Sequence, residues 1–314
     1  TLIIDKLINE IGQVQVLGDD KKVITDVTAD SRVVENGSLF ICLKGATVDG
    51  HKFLKMAIEK GAVAALVEDV PEEIPAGVTL LVVPDTRKAM EAVVPFFFDY
   101  PGKNMRMLGI TGTNGKTTTT NIIRTVLRKA GYKVGLIGTI NIMIEDEAVE
   151  AHNTTPDVVD LQKALFAMKN AGCDYVVMEV SSHALVLNRV AGCEYDCAVL
   201  SNITQDHLDF HKTLENYRDA KSLLFEGLAN GVKENKNAVF NMDDASSEII
   251  KARTKVNCLT YGKEHTNDIY PISFNVQAKE MQLKLATPVG EMDLNLKITG
   301  EFNVYNVMSA VACL

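Results

Sequence analysis

The sequence predicts an α/β protein with a small N-terminal α/β domain and a central domain built on a mainly parallel sheet flanked by helices. Three observations carry that expectation. Short apolar runs such as RMLGIT, KVGLIGT, DYVVMEV and CAVLSNI alternate with helix-period stretches such as VVDLQKALFAMKNAG, and buried parallel strands read as continuous apolar runs of this kind. At 314 residues the chain is long enough for two domains, and Pro101-Gly102 interrupts the pattern where a boundary would fall. Near 270–300 the period changes to strict alternation (SFNVQ, MQLKLAT, EMDLNLKIT), which predicts a small antiparallel sheet.

In chain order, TLIIDKLINE is an amphipathic segment with interspersed charges rather than a secretory signal. VITDVTADSR is rich in β-branched residues, and SLFICLKG reads as a compact strand closed by Gly45. HKFLKMAIEKGAVAALV gives a helix, a Gly61 cap and a buried strand; TLLVVPDT is another strand, and RKAMEAVVPFFFDY a helix. These elements fill residues 1–101. In 102–314 a strand over MRMLGIT leads into TGTNGKT, then a helix from about Thr117 to Ala130 closed by Gly131. The last residues, FNVYNVMSAVACL, read as a helix that stops without a Gly or Asn cap, and the chain does not begin with Met. We therefore expect a fragment of a longer protein.

Composition narrows the function. Hydrophobic residues make up 46% and charged residues 23%, which suits a globular core and argues against disorder. No apolar run reaches the roughly 18 residues of a membrane helix. A net charge of −9 disfavours broad contact with a phosphate backbone, so no nucleic-acid partner is expected. Six cysteines without a CxxC pair fit reduced thiols in a cytoplasmic protein better than a zinc site.

The strongest chemical signal is Gly112-Thr113-Asn114-Gly115-Lys116-Thr117, between a strand and a helix. Glycines let backbone N–H groups approach phosphate oxygens, Lys116 would neutralise their charge, and the Thr117 hydroxyl would reach Mg²⁺. The strict form is broken, because Ile110 stands five before Gly115 where a glycine is usual. A plain turn could also contain GKT by chance. Glu179, after the apolar DYVVM run, sits where a metal carboxylate belongs, although a sheet-edge carboxylate of no consequence would look the same. Ser181, Ser182 and His183 follow it. His207 and His211 are four apart, as on one helix face, yet two surface histidines would give that pattern too. Taken alone, Lys221 reads as a solvated helix lysine and Arg189 as a surface charge.

Together these segments cease to look independent. TGTNGKT, NTTP (153–156), EVSSHAL (179–185), NR (188–189), TQDHLDFH and YRDAKSLLF resemble the Mur ligase family, and DSRVVENGSLFICLKG and DGHKF resemble its uridine-binding domain. Within the family the combination is most similar to the branch that adds the third residue of the peptidoglycan stem peptide. DSR…GSLF and DGHKF fit the branch that adds the terminal dipeptide equally well. The folate-polyglutamylating relatives share the phosphate loop but should lack the DSR domain.

The resemblance implies an ATP-dependent amide ligation in cell-wall biogenesis, joining a diamino acid (meso-diaminopimelate or L-lysine) to UDP-MurNAc-L-Ala-D-Glu through an acyl phosphate. It implies that Gly112, Thr113, Asn114, Gly115, Lys116, Thr117 and Thr118 cradle ATP. Thr117, Glu179, His207 and Lys221 (as a carbamate) would hold Mg²⁺, with Lys116, Lys221, Glu179 and His207 as the catalytic set. Ser31 would contact the uridine side, Asn153, Thr154, Thr155, Ser181 and Arg189 the muramyl-dipeptide part. Asn303, and secondarily Asn306, would sit on the adenine side. A C-terminal amino-acid-binding domain is implied but absent from this chain, so poor turnover is expected of it alone. A cytoplasmic monomer without membrane contact completes the expectation.

Overall fold

The computed structural model describes residues 1–139, 141–149, 157–203 and 213–314. Two compact units emerge. The first comprises residues 1–101 together with 157–166 and 188–192, and the second takes in the rest from Gly102 onward.

In the first unit, short strands β1 (Leu2–Ile3) and β3 (Val23–Ile24) pair antiparallel. The main sheet runs β2 (Gln15–Leu17), β7 (Thr79–Val82), β6 (Ala64–Val67), β5 (Ser38–Ile41), β4 (Asp26–Thr28), parallel except for β2. All four residues of β5 and of β6 are buried, so both sheet faces must be covered. Leu39, Ile41 and Leu66 pack with Ile4 and Leu7 of α1 (Ile4–Ile11) and with Met90 and Val93 of α3 (Thr86–Phe97). Phe40, Cys42 and Val67 point the other way, onto Leu54 and Ala57 of α2 (Leu54–Glu59). The helix expected from His51 is thus shorter, because Asp49 caps a 3₁₀ turn over Gly50–Phe53 before α2 begins.

The second unit is an eight-stranded sheet in the order β11 (Glu147–Val149), β10 (Ile142–Ile144), β9 (Val134–Ile137), β12 (Tyr175–Glu179), β8 (Arg106–Thr111), β13 (Cys197–Leu200), β14 (Asn237–Asn241), β15 (Asn257–Tyr261). The six strands from β9 to β15 are parallel, and the β10–β11 hairpin closes one edge antiparallel. Its helices are α4 (Lys116–Lys129), α5 (Val158–Asn170, which begins in the first unit), α6 (Ser182–Val186), α7 (Leu214–Glu226), α8 (Ser247–Ala252) and α9 (Phe302–Cys313). A separate antiparallel sheet, β16 (Tyr270–Val276), β17 (Met281–Thr287) and β18 (Gly290–Leu296), carries the alternation seen in the sequence. Met281, Leu283 and Leu285 enter the same core as Ile123 of α4 and Val304 and Met308 of α9.

β8 is followed in the chain by β9, but β12 lies between them and β13 flanks the other side. The strand order therefore reverses at β8, and such a switch point opens a crevice at the carboxyl ends of the strands. Thr111, Glu179 and Leu200 end β8, β12 and β13 at this same edge.

Phe240 of β14 is fully buried with its ring 4.8 Å from that of Phe225 on α7. Phe240→Ala should therefore destabilise the second unit by about 3–5 kcal/mol. Urea unfolding followed by circular dichroism measures this, and a loss below about 1 kcal/mol would contradict the packing described.

Candidate active site

The loop between β8 and α4 wraps around glycines that the backbone requires. Gly112 (φ 143°) and Gly115 (φ 89°) lie in the region that favours glycine. A Cβ on Gly112 would collide with Ser201 Oγ, and one on Gly115 with Asn306 Oδ1. Gly112, not position 110, makes the close approach, which accounts for the irregular spacing of the motif. Gly115 occupies the N-cap position of α4 without a side-chain cap, and the first-turn N–H groups of such a helix form an anion site.

The loop is held from β13. Asn202 accepts Thr113 N–H on its carbonyl at 2.9 Å and Asn114 N–H on Oδ1 at 2.9 Å. Ser201 Oγ donates to Asn114 O at 2.7 Å. Lys116 folds back so that Nζ donates to Gly112 O at 2.6 Å. Lys221, on α7, donates to that same carbonyl at 3.0 Å and is only 1% exposed. It is therefore a buried loop contact and not the solvated helix lysine its bare sequence context suggests. Burial pushes the Lys221 amine down to about 7, and the charge of Lys116 acts in the same direction. Burial also lowers Lys116, which Glu179 partly counters.

Glu179, at the end of β12, faces the loop. Thr117 Oγ1 donates to Oε1 at 2.7 Å, and Thr139, following β9, donates to Oε1 through its hydroxyl and to Oε2 through its N–H, both at 3.2 Å. Thr117 and Glu179 thus form a set of hard oxygen donors beside the phosphate loop, the chemistry Mg²⁺ prefers.

On the other flank, Asn114, Gly115, Thr118, Asn202, Asp243, Tyr305 and Asn306 border a cleft of about 380 Å³, with the exposed Phe302 at its side. Tyr305 OH donates to Asp243 Oδ2 at 2.9 Å, and Lys263 N–H reaches the same oxygen at 2.9 Å. Asn306 lines the cleft, whereas Asn303 is buried behind it: its amide donates to Thr299 O at 2.6 Å and its Oδ1 accepts from Asn306 Nδ2 at 2.9 Å. Asn303 therefore orients Asn306.

The remaining expected residues fall elsewhere. Ser181 caps α6, its Oγ accepting Ala184 N–H at 3.1 Å. Ser31 is buried at the start of a 3₁₀ turn in the first unit, and its carbonyl accepts Lys60 Nζ at 3.1 Å. Arg189 also belongs to the first unit, near Asp157, whose carboxyl is raised by burial while Arg189 draws it back down. Asn153, Thr154, Thr155, His207 and His211 lie outside the described residues. Asn202, Tyr217, Asp243 and Tyr305 were not singled out from the sequence. Asn202 and Asp243 follow the apolar runs CAVL and NAVF, so the strand-end reasoning that found Glu179 would have reached them.

Asp49, His51 and Asp69 of the first unit bring potential ligand atoms within 4.8 Å of one another. Both ring nitrogens of His51 are already engaged. Nδ1 is 2.7 Å from Asp49 Oδ1, and Nε2 accepts the N–H groups of Glu68 and Asp69 at 3.0 and 3.2 Å. With Lys44 Nζ 3.0 Å from Asp69, the cluster ties a loop to β6, and neither ring nitrogen of His51 is left open for a metal. None of the six cysteines is in a disulfide, and no helix among the described residues is long and apolar enough to cross a membrane.

Against known families, the profile of the Mur ligase middle domain matches residues 110–314, and that of the Mur ligase family catalytic domain matches 23–97. This chain belongs to the Mur ligase family. Among relatives of the family, the UDP-N-acetylmuramoyl-L-alanyl-D-glutamate–2,6-diaminopimelate ligase of Geobacillus thermodenitrificans (strain NG80-2) is 47% identical over 294 residues, 93% of this chain and 60% of the relative. The protein of the same name from Bacillus licheniformis is 44% identical over 297 residues, 94% of this chain and 60% of that one. A solved structure of a ligase with this name superposes with a TM-score of 0.79 at 30% identity, covering 92% of this chain and 59% of the other. The chain thus spans about 60% of the length of the curated relatives it matches.

Two outcomes follow from the loop geometry. Gly115→Ala, strained by its φ and by Asn306, should weaken ATP binding at least about tenfold, equivalent to ~1.4 kcal/mol, in calorimetric titration; unchanged affinity would mean the loop is not the phosphate site. The second concerns Lys221. Above pH 7 its native amine is neutral, while the unfolded lysine keeps its proton to about 10.5, so the unfolded state binds more protons. Stability should rise with pH across that window by up to about 1.4 kcal/mol per pH unit. In bicarbonate-free buffer, Lys221→Met should remove that slope from denaturation curves taken between pH 7 and 10.

Proposed function

We propose that this chain carries the nucleotide and UDP-substrate sites of an ATP-dependent amide ligase that adds a diamino acid to UDP-MurNAc-L-Ala-D-Glu in peptidoglycan synthesis. The observation that carries this reading is the convergence at one sheet edge of the Gly112–Thr118 loop, Glu179 and the buried Lys221, with Thr117 bonded to Glu179 and Lys221 bonded to Gly112. A nucleotide hydrolase would use the loop and the carboxylate but gives no reason to bury a lysine against the loop backbone. The similarity to 2,6-diaminopimelate ligases favours diaminopimelate over L-lysine as the incoming amine.

In this reading the D-Glu γ-carboxylate of the substrate attacks the γ-phosphorus of ATP. An O–P bond forms, the bond to the β-phosphate oxygen breaks, and ADP leaves. The amine of the diamino acid then adds to the acyl carbon, and phosphate departs as the amide forms and the nitrogen loses a proton. Two anions must meet in the first step, so placement and charge screening dominate the chemistry. The N–H groups around Gly112–Thr118 would hold the phosphates. Lys116 would exchange the Gly112 carbonyl for phosphate oxygens, and Asn306, oriented by Asn303, would border the adenine. Arg189 suits the substrate carboxylates because its guanidinium binds them bidentately, with Ser31, Asn153, Thr154, Thr155 and Ser181 as further substrate contacts.

Thr117 and Glu179 would hold Mg²⁺, joined through the resemblance by His207; when bound, the ion screens the phosphate charges. Lys221 serves such a site as a carbamate. The lone pair of the neutral amine bonds to the carbon of CO₂ and one N–H proton is released, turning an uncharged group into an anion. Burial that favours the uncharged amine supports that addition. The reading places the enzyme in the cytoplasm as a monomer.

Calorimetry with UDP-MurNAc-L-Ala-D-Glu, UDP-MurNAc-tripeptide and UDP-GlcNAc tests the substrate. The dipeptide form should bind selectively, and Arg189→Ala should weaken it by about tenfold or more. Binding of ATP alone would reopen the choice among Mur ligases and other phosphate-loop enzymes, and robust ligation by these 314 residues would overturn the expectation of poor turnover. In a chain with the full length of the relatives, Lys221→Ala should abolish turnover and short carboxylic acids should restore part of it, whereas Lys221→Arg, of the wrong charge, should stay inactive. Near-normal activity of Lys221→Ala would remove the carbamate role.

A further inference from the structure

α7 begins at Thr213, whose Oγ1 accepts Asn216 N–H at 3.1 Å, and its next residue on the inner face is Tyr217. This side chain is fully buried, as a core aromatic would be. Its hydroxyl, however, lies 3.1 Å from Thr113 Oγ1, inside the phosphate loop and 104 positions earlier in the chain. One helical turn on, Lys221 Nζ sits 4.6 Å from the centre of the Tyr217 ring while donating to Gly112 O at 3.0 Å. Residues four apart share a helix face, so one face of α7 grips two consecutive loop residues, Gly112 through Lys221 and Thr113 through Tyr217. Asn202 holds the Thr113 N–H from the opposite side.

We propose that Tyr217 is a positioning residue of the ligase: its hydroxyl pins the Thr113 side chain and its ring seats the Lys221 nitrogen against Gly112, so that the phosphate loop is shaped before nucleotide arrives. This inference rests on the reading of Gly112–Thr118 as the ATP site. Its physical basis is preorganisation. A loop fixed outside the phosphate contacts loses less conformational freedom on binding, and that saving appears as affinity. Tyr217 itself touches neither nucleotide nor metal in this account and acts through Thr113 and Lys221.

The test is calorimetric titration of Mg·ATP into the 314-residue chain and its variants Y217F, T113V, the double variant and Y217L, with thermal melts of each. Y217F keeps the ring and removes only the hydroxyl, so its melting temperature should stay within a few degrees of wild type. Its ATP affinity should fall roughly threefold to tenfold, the effect of one neutral hydrogen bond. T113V should show a similar loss, and the double variant less than the sum of the two, because both delete this contact. Y217L, which also removes the seat of Lys221, should bind more weakly than Y217F. Wild-type affinity in Y217F, or losses that add in the double variant, would overturn the positioning role while leaving the ATP site standing. Failure of the wild-type chain to bind Mg·ATP would overturn the ATP-site reading and this inference with it.

Discussion

The carbonyl oxygen of Gly112 receives two lysine side-chain nitrogens, that of Lys116 from the first turn of α4 and that of Lys221 from the middle of α7. Two lysines on one acceptor, in a place where burial disfavours the charge of each, leave a need for a neighbouring negative charge. A phosphate chain meets that need by drawing Lys116 away from the carbonyl. A carbamate on Lys221 would meet it by placing a negative charge beside Lys116. The same geometry thus favours both the ligand and the modification proposed for this site. It also explains why neither lysine can be read as an ordinary surface residue, whatever its neighbours in the sequence suggest.

That carbonyl is where it is because of the sheet. Parallel strands buried on both faces place all their carboxyl ends at one edge, and the reversal of strand order at β8 leaves a gap there. The β8 end supplies the loop, β12 Glu179, β13 Ser201 and Asn202, and β14 leads to Asp243. Each polar group stands at the end of a buried strand or within two residues of it. Rigid strands with chemistry at their ends give the precision that a phosphoryl transfer between two anions demands.

How much of this was legible depends on distance along the chain. The alternation of apolar strands and helices, the antiparallel segment near 270–300 and the glycine loop are local patterns, and the fold class and loop could be read from them. Glu179 was legible because one rule links an apolar run to the position of its last residue. The partners of the loop were not. Thr113 meets Tyr217 across 104 positions, Asn114 meets Asn202 across 88, and Gly115 leaves room for Asn306 at the far end of the chain. Such contacts follow from the order of strands in the sheet, which no local periodicity encodes. Asn303 shows the same limit at finer scale. Asn303 and Asn306 are both buried asparagines of α9, and only the packed helix reveals that Asn306 borders the cleft while Asn303 holds it in place.

The first unit obeys a different logic. Its conspicuous polar motifs, Asp30-Ser31-Arg32 and Asp49-Gly50-His51, spend most of their hydrogen-bonding capacity on the backbone. Asp30 caps a 3₁₀ turn and pairs with Arg32, while Asp49 caps the next and orients His51, which in turn receives two N–H groups from the end of β6. Loops tied down this way present their remaining backbone and side-chain groups in a fixed shape, which suits recognition of a bulky, uncharged nucleoside face better than catalysis. The second unit places two buried lysines on one carbonyl, whereas the first engages both ring nitrogens of His51. A site that must stabilise developing charge benefits from poised, incompletely neutralised groups, whereas a site that only recognises benefits from rigidity. That contrast, visible in the hydrogen-bond partners of Lys221 and of His51, is the physical reason to seek the proposed chemistry in the second unit.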